Sequence, residues 1–385
     1  MASIQLQGDN SGSLTIQAPS DAGNNTLTLP ATTHTLATQN ALGVRNLIIN
    51  GDMRIAQRGT SSTGITSNGY YTVDRWYMVN DATGTWTQTQ DTDVPTGQGF
   101  ATSVKLACTT ADASLSASDG LQIHTRLEGQ NLQHLKKGTS SAVPITISFW
   151  VKSNKTGTYI YELYDQDNAR QVSKSYTIDT ADTWEKKTIT IDGDTTGSFD
   201  NDNNLSLYST FWLAAGSNKS SGTLNTSWAS SVTANRVVGQ VNLADSTSNY
   251  INITGVQLEV GDTATPFEHR PYDMELQRCQ RYLVYNETGV GNRYVSGLDA
   301  GNTTNAYGPI TLPTTMRATP TISYNNLVLR RGGTNYTITS LTTQTYFTNT
   351  SICGLNAAAS GLSANEQYQI RAHAADSYLK FEAEL

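Results

Sequence analysis

Aromatic rings set among hydroxyl and amide side chains are the groups best able to do chemistry in this sequence, and that chemistry is recognition. The chain holds 6 tryptophans and 19 tyrosines in 385 residues. A flat ring with a polar edge can stack on the apolar face of a sugar while its neighbours bond the hydroxyls. Trp76, Trp184 and Trp212 sit inside strand-like runs, so they are expected to be packing. Trp86, Trp228, Tyr161 and Tyr164 have Thr, Ser, Gln and Asp for neighbours, and are expected at the surface as glycan-binding candidates.

Bond-breaking chemistry has less material. Carboxylates cluster at Glu162, Asp165 and Asp167, at Asp192 and Asp194, and at Asp200 and Asp202. Two carboxylates facing each other across a cleft would suit glycoside hydrolysis. Asp and Asn also gather in loops simply because they close turns, so no catalytic residue is assigned. Asp200, Asp202 and Asn204 imitate the opening of a calcium loop, but Leu205 stands at the sixth position and Phe211 at the twelfth, which excludes an EF-hand. The nucleophile-elbow, zincin, dinucleotide and P-loop signatures are absent. His34, His124, His134, His269 and His373 are unpaired in spacing, and Cys108, Cys279 and Cys353 fit neither a disulfide framework nor a metal cage. The cysteines are expected in the core, and neither metal nor cofactor is assigned.

Strands must position these rings. The chain has 56 Thr, 35 Ser, 30 Asn and 31 Gly, a composition that favours pleated surfaces and tight turns over helices. Alternating runs recur at 145–151 (ITISFWV), 158–163 (TYIYEL), 185–191 (EKKTITI) and 250–258 (YINITGVQL), the pattern of an antiparallel sandwich. Ile147, Phe149, Val151, Ile189, Ile191, Val256 and Leu258 fall on its core face. A short helix is expected over about 273–283, opened by Pro271 and capped by Asp273, with Leu276, Cys279 and Leu283 on one stripe. Strand patterning then resumes and runs to the last residue.

Residues 1–42 alternate too, but offer only Leu14, Ile16, Leu27, Leu29 and Leu36 to any core. So short a segment cannot offset its ordering entropy alone, and is expected to pack against copies of itself. These five residues are the expected trimer anchor. A net charge of −7, from 25 basic and 32 acidic residues, provides no footprint for nucleic acid. No apolar run reaches the ~20 residues that cross a bilayer, so no membrane insertion is expected.

Residues 46–53 (NLIINGDM), paired with 253–260 (ITGVQLEV), resemble the first and last strands of the carbohydrate-binding-module-like jelly rolls of bacteriophage fibre proteins. Residues 147–152 and 182–186 sit where that pattern has inner strands, and 263–272 (TATPFEHRPY) with 275–282 (ELQRCQRY) is its most phage-specific stretch. Residues 12–19 and 25–30 are similar to the virion-anchoring start of tail and head fibres of marine and cyanobacterial phages, and 312–321 and 383–385 to their terminal domain.

The resemblance implies an all-β chain: a short trimerising N-terminal β segment at 1–45, a jelly-roll β-sandwich at 46–271, a connector helix at 272–284, and a C-terminal β-sandwich-like tip domain at 285–385. It implies a non-enzymatic homotrimeric tail fibre, made in the host cytoplasm and carried on the virion. Residues 1–45 would engage a tail or capsid protein, and the rest would bind host polysaccharide or lipopolysaccharide. A head fibre with the same anchor is the alternative, and a polysaccharide depolymerase a more distant one. Such modules often hold a structural calcium through an acidic residue just before the last strand. Thr254 stands there, leaving Asp52 and Glu259 as oxygen donors.

Overall fold

Alternation along the chain becomes two facing antiparallel sheets and, beyond a single helix, a second β unit. The computed structural model describes residues 3–7, 13–17, 45–287, 290–344 and 348–385. The chain divides into two units, Met1–Leu42 and Gly43–Leu385. In the first, β1 (Ser3–Gln7) and β2 (Ser13–Gln17) form an antiparallel hairpin whose register sets Ile4 opposite Ile16 and Leu6 opposite Leu14. Leu27, Leu29 and Leu36 lie outside the described residues.

The second unit begins with thirteen strands in two sheets. In chain order they are β3 (Ser61–Ile65), β4 (Gly69–Tyr70), β5 (Tyr77–Asp81), β6 (Thr85–Asp91), β7 (Ser103–Thr110), β8 (Gly120–Glu128), β9 (Ile145–Ser153), β10 (Gly157–Asp165), β11 (Arg170–Ile178), β12 (Glu185–Ile191), β13 (Leu205–Ala215), β14 (Ala229–Ser230) and β15 (Tyr250–Val260). One sheet runs β14-β11-β10-β13-β8-β5-β4 and the other β12-β9-β15-β7-β6-β3. Sequence neighbours are repeatedly separated between the sheets, as in a jelly roll. Each inner face contributes to one core, with Ile147, Phe149, Val151, Val256 and Leu258 fully buried and Ile189 and Ile191 nearly so. Phe149 meets Phe211 and Tyr176 edge-on, with ring centroids 4.9 and 5.0 Å apart.

Two expected strands change in detail. Residues 46–53 run beside β15 without becoming a strand: Leu47 N–H donates to Leu258 O (2.8 Å) and Val256 N–H to Gly51 O (2.9 Å). Left-handed Asn50 and Met53, φ 59° and 60°, bend the segment away. A Cβ on Gly51 would lie 2.1 Å from Val256 O, so only glycine permits this approach. Residues 182–186 enter β12, which is an edge strand, whereas 147–152 lie on β9 between β12 and β15.

The helix α1 (Tyr272–Gln280) starts after Pro271, not Asp273, and its buried positions are Glu275 and Cys279. Leu276 is half-buried and Leu283 belongs to the next strand. A carboxylate can face inward there because Arg270 meets it at 3.1 Å and the Asn50 N–H donates to it. The same guanidinium bonds the Asn46 and Ile48 carbonyls and Glu268, closing the sandwich where the chain enters and leaves it.

Ten further strands follow: β16 (Leu283–Glu287), β17 (Arg293–Ala300), β18 (Asn305–Thr311), β19 (Thr321–Asn325), β20 (Leu327–Arg331), β21 (Thr334–Thr337), β22 (Ser340–Thr343), β23 (Ile352–Ala358), β24 (Gln367–Ala372) and β25 (Tyr378–Glu382). They form sheets β16-β25-β19 and β21-β20-β24-β17-β18-β23-β22 around a second core that includes Leu298, Leu329, Leu355, Tyr368, Ile370 and Phe381. The closing strand is the middle of its sheet, so the chain end is held from both sides. Cys108, Cys279 and Cys353 are all free and buried.

Ion pairs join the two cores. Arg58 reaches Glu382 at 2.8 Å and Glu384 at 3.0 Å, Arg75 also binds Glu384, and Arg281 grips Glu128 at 2.7–2.8 Å. At this junction Asp74 is fully enclosed, and burial pushes its carboxyl up to about 6 against the pull of Arg58 and Gln57. With the folded value above the ordinary one, the native state keeps a proton that the unfolded chain has released. The penalty is full above about pH 6 and is relieved as pH falls through it. Melting temperature should therefore rise from about pH 7.5 to about pH 5, and Asp74→Asn should flatten that rise in differential scanning calorimetry. Below about pH 4 the trend should reverse, as Glu128 and Glu382, whose values are lowered by their arginine partners despite burial, become protonated.

Candidate functional site

Period-2 geometry decides which rings reach the surface. Tyr161 and Tyr164 are three apart on β10, so they must face opposite sides. Tyr161 points inward, is fully buried, and shares a hydrogen bond of 2.8 Å with Ser209 Oγ. Trp86 is fully buried as well, its Nε1–H donating to Thr83 O at 2.9 Å. Its Thr neighbours face solvent because they alternate with it, so polar neighbours misreport its exposure. Neither residue is placed to meet a ligand. Tyr164 and Trp228 are half-buried and lie at two different places.

Tyr164 belongs to the outer face of the seven-stranded sheet. Register sets it opposite Tyr208 on β13, and Tyr208 opposite Arg126 on β8. In the adjacent row Thr210 faces His124, His124 faces Tyr77 on β5, and Tyr77 faces Tyr70 on β4. The rings of Tyr164 and Tyr208 are 6.1 Å apart, Tyr208 meets His124 edge-on at 5.1 Å, and His124 stacks on Tyr77 at 5.2 Å. Arg126 lies over Tyr77 at 4.0 Å and Tyr208 at 5.6 Å. Arg236 lies over Tyr164 at 5.1 Å. The segment following β13 covers the neighbouring part of the face, with Val237 packed on Ile160 and Trp212 and Arg236 paired to buried Glu162 at 2.8 Å. The result is a half-exposed row of Tyr164, Tyr208 and Tyr77 with two guanidinium groups lying over its rings.

His124 forms the bottom of that row. Its Nε2 accepts from Arg126 Nε at 3.0 Å, a bond that assigns the proton of the neutral ring to Nδ1. Burial, then the charges of Arg126 and Arg236, hold its pKa well below the ordinary histidine value. The imidazole is therefore neutral at pH 7, and its Nδ1 is buried without a partner.

Trp228 lines a separate cleft of about 250 Å³ at the flank of the sandwich, between the end of β12 and β11 with the approach to β14. Its Nε1–H donates to Asp192 O at 3.1 Å, and Lys137 Nζ lies 5.4 Å from the ring centre. Beneath the cleft, Lys137 Nζ binds Asp165 at 2.6 Å and Asp194 at 3.0 Å, while Arg170 holds Asp194 with two bonds of 2.7 and 2.9 Å. These partners outweigh burial and lower the Asp194 pKa. Of the carboxylates considered for hydrolysis, Glu162, Asp165 and Asp194 are thus committed to ion pairs.

The candidate calcium donors are also engaged. Asp52 pairs with Arg54 at 3.1 Å, and Glu259 accepts from Gln257 and from the Thr265 N–H and hydroxyl. Thr254 donates to Thr102 O at 2.8 Å. Among the described residues, no three His, Cys, Asp or Glu side chains converge as a metal site, and no helix is long and apolar enough to cross a membrane.

The sequence matches no family model and no curated protein. Among solved structures, the chain is similar to the enzymatically active domain of tailspike protein 4 of bacteriophage CBA120, at 13% identity and a TM-score of 0.30 over 56% of this chain. It spans only 21% of that protein's length. It is similar to a putative sugar binding protein from Bacteroides thetaiotaomicron, at 12% identity and a TM-score of 0.30, over 56% of this chain and 100% of that one. The module TmCBM61 in complex with β-1,4-galactotriose matches at 10% identity and a TM-score of 0.29, over 56% of this chain and 99% of the module. Scores of this size do not establish a shared function.

Proposed function

We propose that the chain is a structural virion fibre protein that binds host surface polysaccharide or lipopolysaccharide through the outer face of its seven-stranded sheet, without cleaving it. The observation that carries this reading is the cross-strand row of Tyr164, Tyr208 and Tyr77, half-exposed together on the outer face of one sheet. The tyrosines supply aromatic surface and hydroxyls that can donate or accept, while Arg126 and Arg236 are held over them by His124, the Leu385 carbonyl and Glu162. The engaged state of Glu162, Asp165 and Asp194 favours binding over hydrolysis. Incubation with host polysaccharide should leave reducing ends unchanged while the protein remains bound. A rise in reducing ends would replace this reading with a depolymerase.

Residues 1–45 anchor the fibre and gather three chains, residues 46–271 form the binding body and 285–385 the C-terminal domain, joined by 272–284. A lone two-stranded hairpin is marginal in water, which supports assembly around β1 and β2. Three chains carry 3 × −7 = −21, a load that physiological salt screens beyond about 8 Å. Replacing Leu27 and Leu29 by Ser should reduce incorporation into virions while 46–385 keeps its melting temperature. Labelled antibody on intact virions then separates tail from head attachment. Light scattering showing a stable monomer at micromolar concentration would remove the trimer.

A further inference from the structure

We propose that the flank cleft beside Trp228 is a second carbohydrate site, independent of the sheet face, which accepts one neutral pyranose ring at the end of a glycan chain. Its volume of about 250 Å³ is below the range of drug-sized pockets, and suits one ring rather than an extended oligosaccharide. Trp228 forms one wall and is pre-set: its indole N–H is committed to the Asp192 carbonyl, and Lys137 stands over its ring. A held aromatic loses little freedom on binding. Gly193 keeps the floor in place, because a Cβ there would come within 2.5 Å of Ala142.

The rim supplies the matching polar groups. Thr195, Thr226 and Ser227 are exposed around the opening, and their hydroxyls can donate or accept. The exposed Asp192 carboxylate can accept from two adjacent sugar hydroxyls. Charge selects the class of sugar. Lys137 and Arg170 are balanced by Asp165 and Asp194, so Asp192 is the unbalanced charge of the cleft, and it disfavours an acidic sugar. Alternation separates this site from the first. Val172 faces the core and lines the cleft, whereas Gln171, its neighbour, lies opposite Tyr164. A glycan end in the cleft and a glycan body on the face are held by different residues.

The test uses the full chain with 15N-labelled tryptophan, in which Trp228→Phe assigns the Trp228 indole signal. D-glucose, D-galactose and N-acetyl-D-glucosamine are titrated separately, with D-glucuronate as the acidic control. At least one neutral sugar should shift the Trp228 signal saturably, with a Kd on the order of 1–10 mM for so small a ligand, and D-glucuronate should not. Thr195→Arg with Thr226→Arg fills the opening from exposed positions and should abolish the shift, while the signals of buried Trp76, Trp86 and Trp212 stay in place and report an intact fold. Tyr164→Ala with Tyr208→Ala should leave it unchanged. No saturable shift with any neutral sugar, a shift that survives the two arginines, or one lost with Tyr164 and Tyr208 would overturn the second site. Loss of polysaccharide binding by the sheet face alone would not.

Discussion

Tyr164→Ala combined with Tyr208→Ala should remove most of the chain's affinity for the host polysaccharide proposed as its ligand. The two rings face each other across β10 and β13 with centroids 6.1 Å apart, so one sugar chain lying along the sheet meets both. Truncating a central aromatic anchor costs about 2 kcal/mol or more. Two such losses, at about 1.4 kcal/mol per factor of ten, correspond to roughly a hundred- to a thousandfold weaker binding. Isothermal titration against purified host polysaccharide measures this. The rings are half-buried, so the variant should remain folded. Phenylalanine at both positions keeps the stacking faces and should retain most of the affinity. If the double alanine binds within threefold of the parent, the row is not the binding surface.

Phe149→Ala should have the largest effect on stability. The ring is fully buried at the centre of the sandwich, on the strand between β12 and β15, and packs edge-on against Phe211 and Tyr176. Removing a buried phenyl ring costs about 3–5 kcal/mol, from lost transfer energy and the cavity left behind. Denaturant unfolding should show a lowered midpoint with an unchanged slope for this transition. A loss below about 1 kcal/mol would mean the cavity collapses freely, which the Phe211 and Tyr176 rings of the facing sheet should prevent.

Local periodicity made much of the architecture readable, because a strand's inner and outer faces are written in the sequence two residues at a time. β12 runs over 185–191 as the alternation predicts, and Ile147, Phe149 and Val151 face inward as expected. The same rule, applied strictly, separates Tyr161 from Tyr164. Judging exposure by neighbours instead placed both at the surface, and placed Trp86 there too. Cross-strand register is not local. Nothing in the residues around Tyr208 or His124 says that they will stand beside Tyr164 and Tyr77, since that depends on which strands pair and with what bulges. Charge compensation is equally remote: Glu275 can replace an aliphatic on the buried side of α1 only because Arg270 folds back onto it. The bend at Asn50 and Met53 is announced by the turn dipeptide Asn50-Gly51, a signal that the expected strand over 46–53 overrode.

Binding of the full chain to an array of purified bacterial capsular polysaccharides and lipopolysaccharides, with the Tyr164→Ala/Tyr208→Ala variant on a parallel array, tests the central claim most directly. Saturable binding to one or a few surface glycans, lost in the variant and retained when both positions carry phenylalanine, is the result expected of a glycan-binding sheet face. No saturable binding by the folded parent chain to any glycan, or equal binding by parent and variant, would contradict it.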